Sequence, residues 1–230
     1  MLSAEINFVF RVIQGKIAAK RGLSHSIIFP GNRRRRCFSV GLNNNMTKVK
    51  ILIEGYTTAD SGAEEKSCSV ITLIQGNGLN IVVDPGVLES QKMLVDALKK
   101  EGLEISDVDY VFLTHSHIDH FRNIGMFPDV KTLEFWGIWD KNKVIDWRED
   151  FNEDIKIIKT PGHSVDGLTF LVKTENGTVA ICGDVFWKEN FPENDPYAVD
   201  IDQLKGTREK VLKLADWIIP GHGKMFKVPK

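Results

Sequence analysis

At 230 residues with 42% hydrophobic side chains, the chain is long enough for one large domain, or one domain and a tail, around a sizeable core. No run approaches the roughly 18 consecutive apolar residues of a membrane-spanning helix, so no membrane partner is expected. The formal net charge of −1 is unevenly spread: residues 1–45 hold Arg11, Lys16, Lys20, Arg21 and Arg33 to Arg36 against Glu5 alone, leaving an acidic remainder that would attract RNA or phosphates only through a local basic rim or bound metal.

Cys37, Cys68 and Cys182 make no even disulfide framework, and Cys182 lies in an apolar run where a thiol packs as a small hydrophobe, so a reducing compartment is expected. Residues 1–45 interleave Ile6, Phe8, Val9, Phe10, Val12, Ile13 and Ile17 with basic residues, are rich in Ser and almost free of acid, the composition of a mitochondrial transit peptide. Arg36-Cys37-Phe38-Ser39 is similar to a matrix-processing site. The alternative is that Met46 is the start and the first 45 residues are a dispensable extension; Arg33 to Arg36 also suit a nuclear-localisation or RNA-binding patch. In each case the folded domain is expected over residues 46–230.

From Lys48 the pattern is regular. Val49 to Ile53, Ser69 to Ile74 and Asn80 to Val83 read as strands, the first two joined by a polar loop through Asp60-Ser61-Gly62 and the last preceded by the turn signal Gly76-Asn77-Gly78. Asp84-Pro85-Gly86 ends the third strand, and Gln91 to Glu101 places Met93, Leu94, Ala97 and Leu98 at helical spacing before Gly102 as C-cap. A strand over Val108 to Leu113, a short helix near His120 to Ile124 and a strand at Thr132 to Phe135 follow. Residues 137–153 are polar with interspersed Trp139, Val144, Ile145 and Trp147, aromatics that either line a pocket or staple a loop to the core. Strands recur at Ile155 to Ile158, Leu168 to Val172 and Thr178 to Cys182, the latter two joined by the hairpin signal Glu175-Asn176-Gly177. Leu204 to Ala215 reads as a helix and Trp217 to Pro220 as the last strand. Strands then helix, twice over, suit an α+β fold: an αββα sandwich of two mixed sheets packed face to face with helices outside.

Chemistry concentrates in Thr114-His115-Ser116-His117-Ile118-Asp119-His120, four potential metal ligands directly behind a strand. One cation cannot use all four and keep a position open, because open catalytic sites take three protein ligands; two adjacent cations can. Further ligands are available at His163 in Thr160-Pro161-Gly162-His163-Ser164, at His222 in Pro220-Gly221-His222-Gly223 and at Asp184 in Ile181-Cys182-Gly183-Asp184, each where a strand meets a turn.

This ordered set resembles the metallo-β-lactamase superfamily, whose His-x-His-x-Asp-His signature is matched without substitution, with Asp84, His163, Asp184 and His222 following the family order over about residues 48–228. Within the superfamily it resembles the branch of metallo-β-lactamase domain-containing proteins, on Leu52-Ile53-Glu54-Gly55-Tyr56, Val83-Asp84-Pro85-Gly86, Asn123-Ile124-Gly125-Met126-Phe127-Pro128, Thr160-Pro161-Gly162-His163, Gly183-Asp184-Val185-Phe186 and Pro220-Gly221-His222-Gly223-Lys224-Met225-Phe226.

The resemblance implies the αββα fold and a ligand set in which His115, His117 and His163 hold one divalent metal, Asp119, His120 and His222 the second, and Asp184 bridges. Zinc is the expected metal, with iron or manganese accepting the same donors. It further implies a hydroxide activated by metal charge as nucleophile, Asp119 and Asp184 as catalytic carboxylates, and Asp84 as an outer partner orienting the ligand loops. The implied activity is endoribonucleolytic, on histone-coding pre-mRNA 3′ ends, in cytoplasm or nucleus, or in mitochondria if residues 1–45 target there, with a homodimer as one way for a compact domain to grip RNA. A thioester or lactone hydrolase would use the same metals. The mononuclear-iron persulfide dioxygenases share a similar signature, but Gly183-Asp184-Val185-Phe186-Trp187 lacks their Arg after the bridging Asp. A non-catalytic binding protein is disfavoured because no ligand is missing.

Overall fold

The computed structural model describes residues 46–59 and 64–229; the readings of residues 1–45 and the loop through Asp60-Ser61-Gly62 lie outside them. Strand β1 (Lys48–Ile53) leads into a short ribbon of β2 (Tyr56–Thr57) and β3 (Ser67–Cys68), then the hairpin of β4 (Ile71–Gly76) and β5 (Leu79–Val83). Asn77 and Gly78 turn that hairpin with φ of 52° and 75°, the two positive values a type I′ turn requires. Helix α1 (Lys92–Lys100), β6 (Tyr110–Phe112), the one-turn α2 (Ile118–Phe121), β7 (Lys131–Glu134), β8 (Gly137–Asp140) and β9 (Lys143–Ile145) complete the first half. The second half is β10 (Ile155–Lys159), β11 (Leu168–Thr174), β12 (Gly177–Ile181), α3 (Ile201–Leu214), β13 (Trp217–Ile219) and β14 (Phe226–Lys227).

The strands assemble into a seven-stranded sheet ordered β1-β4-β5-β6-β7-β8-β9 and a five-stranded sheet ordered β10-β11-β12-β13-β14. Both are mixed: β5, β6 and β7 pair in parallel, as do β12 and β13, while the other pairs are antiparallel.

Period-2 alternation sorts each strand's side chains into two layers. Ile81 and Val83 of β5 and Phe112 of β6 face a core shared with Phe170, Val179, Ile181 and Ile219 of the other sheet. Val82 and Val111 point the opposite way, onto Leu94 and Leu98 of α1. Leu171, Ala180 and Ile218 likewise turn outward from the second sheet onto Leu204 and Val211 of α3. These three clusters are the interfaces of a four-layer αββα sandwich, as expected from the strand and helix order.

Helix α1 is held by its apolar stripe, Leu94, Ala97 and Leu98, and stops where Gly102 takes φ 74° and its N–H bonds the Lys99 carbonyl, the left-handed end that a Cβ would disfavour. Asp200 caps α3, its Oδ1 accepting the Gln203 N–H. The polar stretch 137–153 is not all loop: the hairpin β8–β9 extends the larger sheet at its edge. Its exposed Val144 and Ile145 gave no inward-outward alternation to read. Trp147 staples the following loop, donating its indole N–H to the Phe135 carbonyl at 3.1 Å, whereas Trp139 stands in a cavity wall, so both alternatives for these aromatics occur at different residues.

Candidate metal centre

Strand ends bring the seven sequence-predicted ligands together. After β6 the chain leaves the sheet once the Leu113 N–H has bonded Leu133, and Thr114 to His117 form the loop that enters α2, whose first turn carries Asp119 and His120. His163 comes from the β10–β11 turn, Asp184 from the turn after β12 and His222 from the turn after β13. Two glycines permit this convergence. A Cβ on Gly221 would overlap Asp184 Oδ1, and one on Gly183, which takes φ 51°, would overlap the Thr114 hydroxyl.

The ligand atoms form two groups, His115, His117, His163 and Asp184 in one and Asp119, His120 and His222 in the other. In the first, His117 Nδ1 lies 3.0 Å from His115 Nε2 and 2.9 Å from His163 Nε2, and Asp184 Oδ2 lies 3.3 Å from His163 Nε2. In the second, His222 Nε2 lies 3.6 Å from Asp119 Oδ2. Asp184 stands between them: its Oδ1 is 3.3 Å from His120 Nε2 and 3.1 Å from His222 Nε2.

Four histidines are held from behind through Nδ1, which leaves Nε2 facing inward. His120 Nδ1 lies 2.8 Å from Asp84 Oδ2, His163 Nδ1 lies 2.6 Å from Asp195 Oδ2, His222 Nδ1 lies 3.0 Å from the Cys68 carbonyl, and His115 Nδ1 lies 3.1 Å from Thr114 Oγ1. Such partners fix the tautomer and ring plane of a metal-ligating histidine. Asp84 also accepts the Thr114 N–H at 2.8 Å and its hydroxyl at 2.7 Å, tying the motif loop to the end of β5. Ser67 donates its hydroxyl to Asp119 Oδ2 at 2.6 Å, and Asp166 accepts the Ser116 N–H at 3.0 Å.

Burial holds the His115 imidazole well below its usual pKa, so it stays neutral. Burial pushes His120 the same way, but the Asp184 and Asp84 carboxylates outweigh it and raise the ring well above the usual value. Burial would raise Asp184, yet the rings of His222 and His120 keep it well below the carboxylate range.

The residues fit two divalent cations. Ligands about 2.1 Å from a tetrahedral ion stand about 3.4 Å apart, close to the spacings here. Among the described residues, the buried His120 Nε2 and Asp184 Oδ1 face each other at 3.3 Å without a properly directed hydrogen bond to any group, a state costing roughly 1–3 kcal/mol per group that a cation between them would relieve. Nitrogen and carboxylate donors suit zinc and also iron or manganese.

The spacing of the motifs pointed to the seven candidate ligands that the fold brings together, but not to Asp195, Ser67 or Asp166. Asp195 is buried at 6% exposure and 32 residues from His163, with no periodicity linking the two. Beside the centre opens a cavity of about 450 Å³, with apolar walls from Leu113, Phe121, Ile124 and Trp139, bordered by His115, Ser116, Glu134 and Lys141. Cys182 packs in the core as expected, where burial raises its thiol pKa.

Residues 68–143 match the domain described as Metallo-beta-lactamase superfamily. Metallo-beta-lactamase domain-containing protein 1 of Xenopus laevis is 33% identical over 192 residues, covering 79% of this chain and 82% of the frog protein. The N-acyl homoserine lactonase of Bacillus thuringiensis is 25% identical over 193 residues, covering 74% of this chain and 77% of its own. The crystal structure of a metallo-beta-lactamase from Thermotoga maritima superposes with a TM-score of 0.65 at 22% identity, covering 80% of this chain and all of that one. Motif order, four-layer fold and the frog relative together place this chain: it belongs to the metallo-beta-lactamase superfamily.

Proposed function

We propose that this metallo-hydrolase cleaves phosphodiesters, as an endoribonuclease acting on RNA. The observation that carries the reading is Asp184, whose two oxygens reach donors of both groups, because paired cations sharing one carboxylate suit in-line displacement at phosphorus. Support also comes from the motifs, from Leu52-Ile53-Glu54-Gly55-Tyr56 to the sequence after His222, whose resemblance to the metallo-β-lactamase domain-containing branch implies activity on RNA.

Two divalent ions, when bound, supply Lewis acidity toward phosphoryl oxygens and a lowered pKa for water. His115, His117 and His163, with Asp119, His120 and His222, would hold them, and Asp184 would lie between. Asp84 and Asp195 keep the His120 and His163 rings oriented. Asp119, partly exposed and accepting the Ser67 hydroxyl, would take up the proton that the attacking water gives up and pass it to the departing oxygen.

A second reading, an ester, thioester or lactone hydrolase, draws on the apolar walls of the 450 Å³ cavity and the similarity to a lactonase. Purified full-length chain assayed on single-stranded RNA, bis(p-nitrophenyl) phosphate, a thioester and an N-acyl homoserine lactone separates them. The proposal expects kcat/KM to be highest for RNA; a lactone or thioester preferred over both phosphodiesters would establish the second reading instead.

A further inference from the structure

Residues 46–230 hold 22 Lys and Arg against 30 Asp and Glu, so a polyanion is repelled at long range and must be gripped locally. A basic patch interleaved with aromatic rings lies beside the metal centre. Its hub is Lys159, the last residue of β10, four positions before His163. The Lys159 ammonium sits 4.5 Å from the centre of the Phe135 ring and 5.8 Å from that of Trp147. Phe135 lines the 450 Å³ cavity that borders His115, while Lys159 and Trp147 line a second hollow of about 400 Å³ that also includes Lys156 and Lys210. Lys159, in contact with one ring of each hollow, therefore joins the two along one ridge.

The rings are fixed in advance. Trp136, 67% exposed, packs edge-on to Phe135 with centroids 5.0 Å apart. The Glu134 carboxylate accepts the Trp136 backbone N–H at 2.9 Å and the Trp139 indole N–H at 2.6 Å, which stiffens the corner between β7 and β8. Lys156, Lys159 and Lys210 are all exposed, and the one acid in that hollow, Glu149, is 3.9 Å from Lys156, too loose a surface pair to cancel three ammonium groups.

We infer that this ridge, with Trp136 as an exposed stacking face and Lys156, Lys159 and Lys210 as phosphate partners, is the track along which single-stranded RNA enters the metal centre. Exposed rings accept any base face, and lysines spaced between them neutralise successive phosphates, the combination by which proteins hold single strands. The inference rests on the proposal that RNA is the substrate.

The test compares metal-loaded full-length chain with Trp136→Ala and with the double variant Lys159→Glu, Lys210→Glu, by fluorescence anisotropy of a labelled single-stranded RNA and by steady-state cleavage of that RNA. Hydrolysis of bis(p-nitrophenyl) phosphate, too small to reach the ridge, reports whether the metal centre is intact. RNA affinity is expected to fall about tenfold for Trp136→Ala. For the lysine variant it should fall further, with the log–log salt slope reduced by about 0.7 for each phosphate no longer neutralised, while the small diester turns over as before. If wild-type chain cleaves RNA and the variants bind and cleave it equally well, the track is wrong and the RNA reading stands. If wild-type chain hydrolyses the small diester but neither binds nor cleaves RNA, both are wrong.

Discussion

Asp184 carries more of the site than any other residue. It is buried, ionised, and within 3.3 Å of nitrogen atoms from three histidines of two groups. Asp184→Asn keeps the volume but replaces one oxygen by an amide that cannot share two cations. Activity should fall by more than the roughly 100-fold typical of losing an outer partner, with one metal equivalent lost and an unchanged circular dichroism spectrum. Turnover retained would refute the bridging role. Asp195 belongs to the outer layer, so Asp195→Asn should weaken metal binding or activity about 10- to 100-fold by loosening the His163 ring, read by competition with a chelator. The candidate ligands could be picked out because His115 to His120 are contiguous and His163 and His222 sit in Pro/Gly turns. Asp195 was not, because a carboxylate that meets its histidine only in three dimensions leaves no mark in spacing.

At the scale of elements, the site exists because β6, β10, β12 and β13 all stop at the same edge of the sandwich and each hands the chain to a tight turn. The closeness of those turns can be probed directly. Gly221→Ala would drive a methyl group into Asp184, so metal content should drop while the sheets, whose core lies elsewhere, stay folded; an unchanged metal content would mean that the turn yields easily. Strands with regular alternation, such as Ile81-Val82-Val83 and Val179-Ala180-Ile181, could be read from sequence, since each face meets a different core. The β8–β9 hairpin and the two-residue β14 could not, because an edge strand with exposed Val144 and Ile145 carries no buried face to set a pattern.

At the scale of the molecule, residues 46–229 contain the three apolar clusters and the seven candidate ligands, while the sequence of residues 1–45 lacks the periodic pattern of a core. A chain starting at Met46 should therefore keep full activity and the melting temperature of the full chain; a lower melting temperature would show that the first 45 residues pack on the domain. If those residues target mitochondria, the full chain fused to a fluorescent reporter should enter them and the shorter chain should not. Identical distributions would end the targeting proposal. Seven ligands in two groups around one shared carboxylate make two cations per chain the central claim. Elemental analysis of freshly purified, active protein tests it most directly: two equivalents of divalent metal per chain are predicted, and a single tightly held iron with no second metal accepted on titration would contradict it.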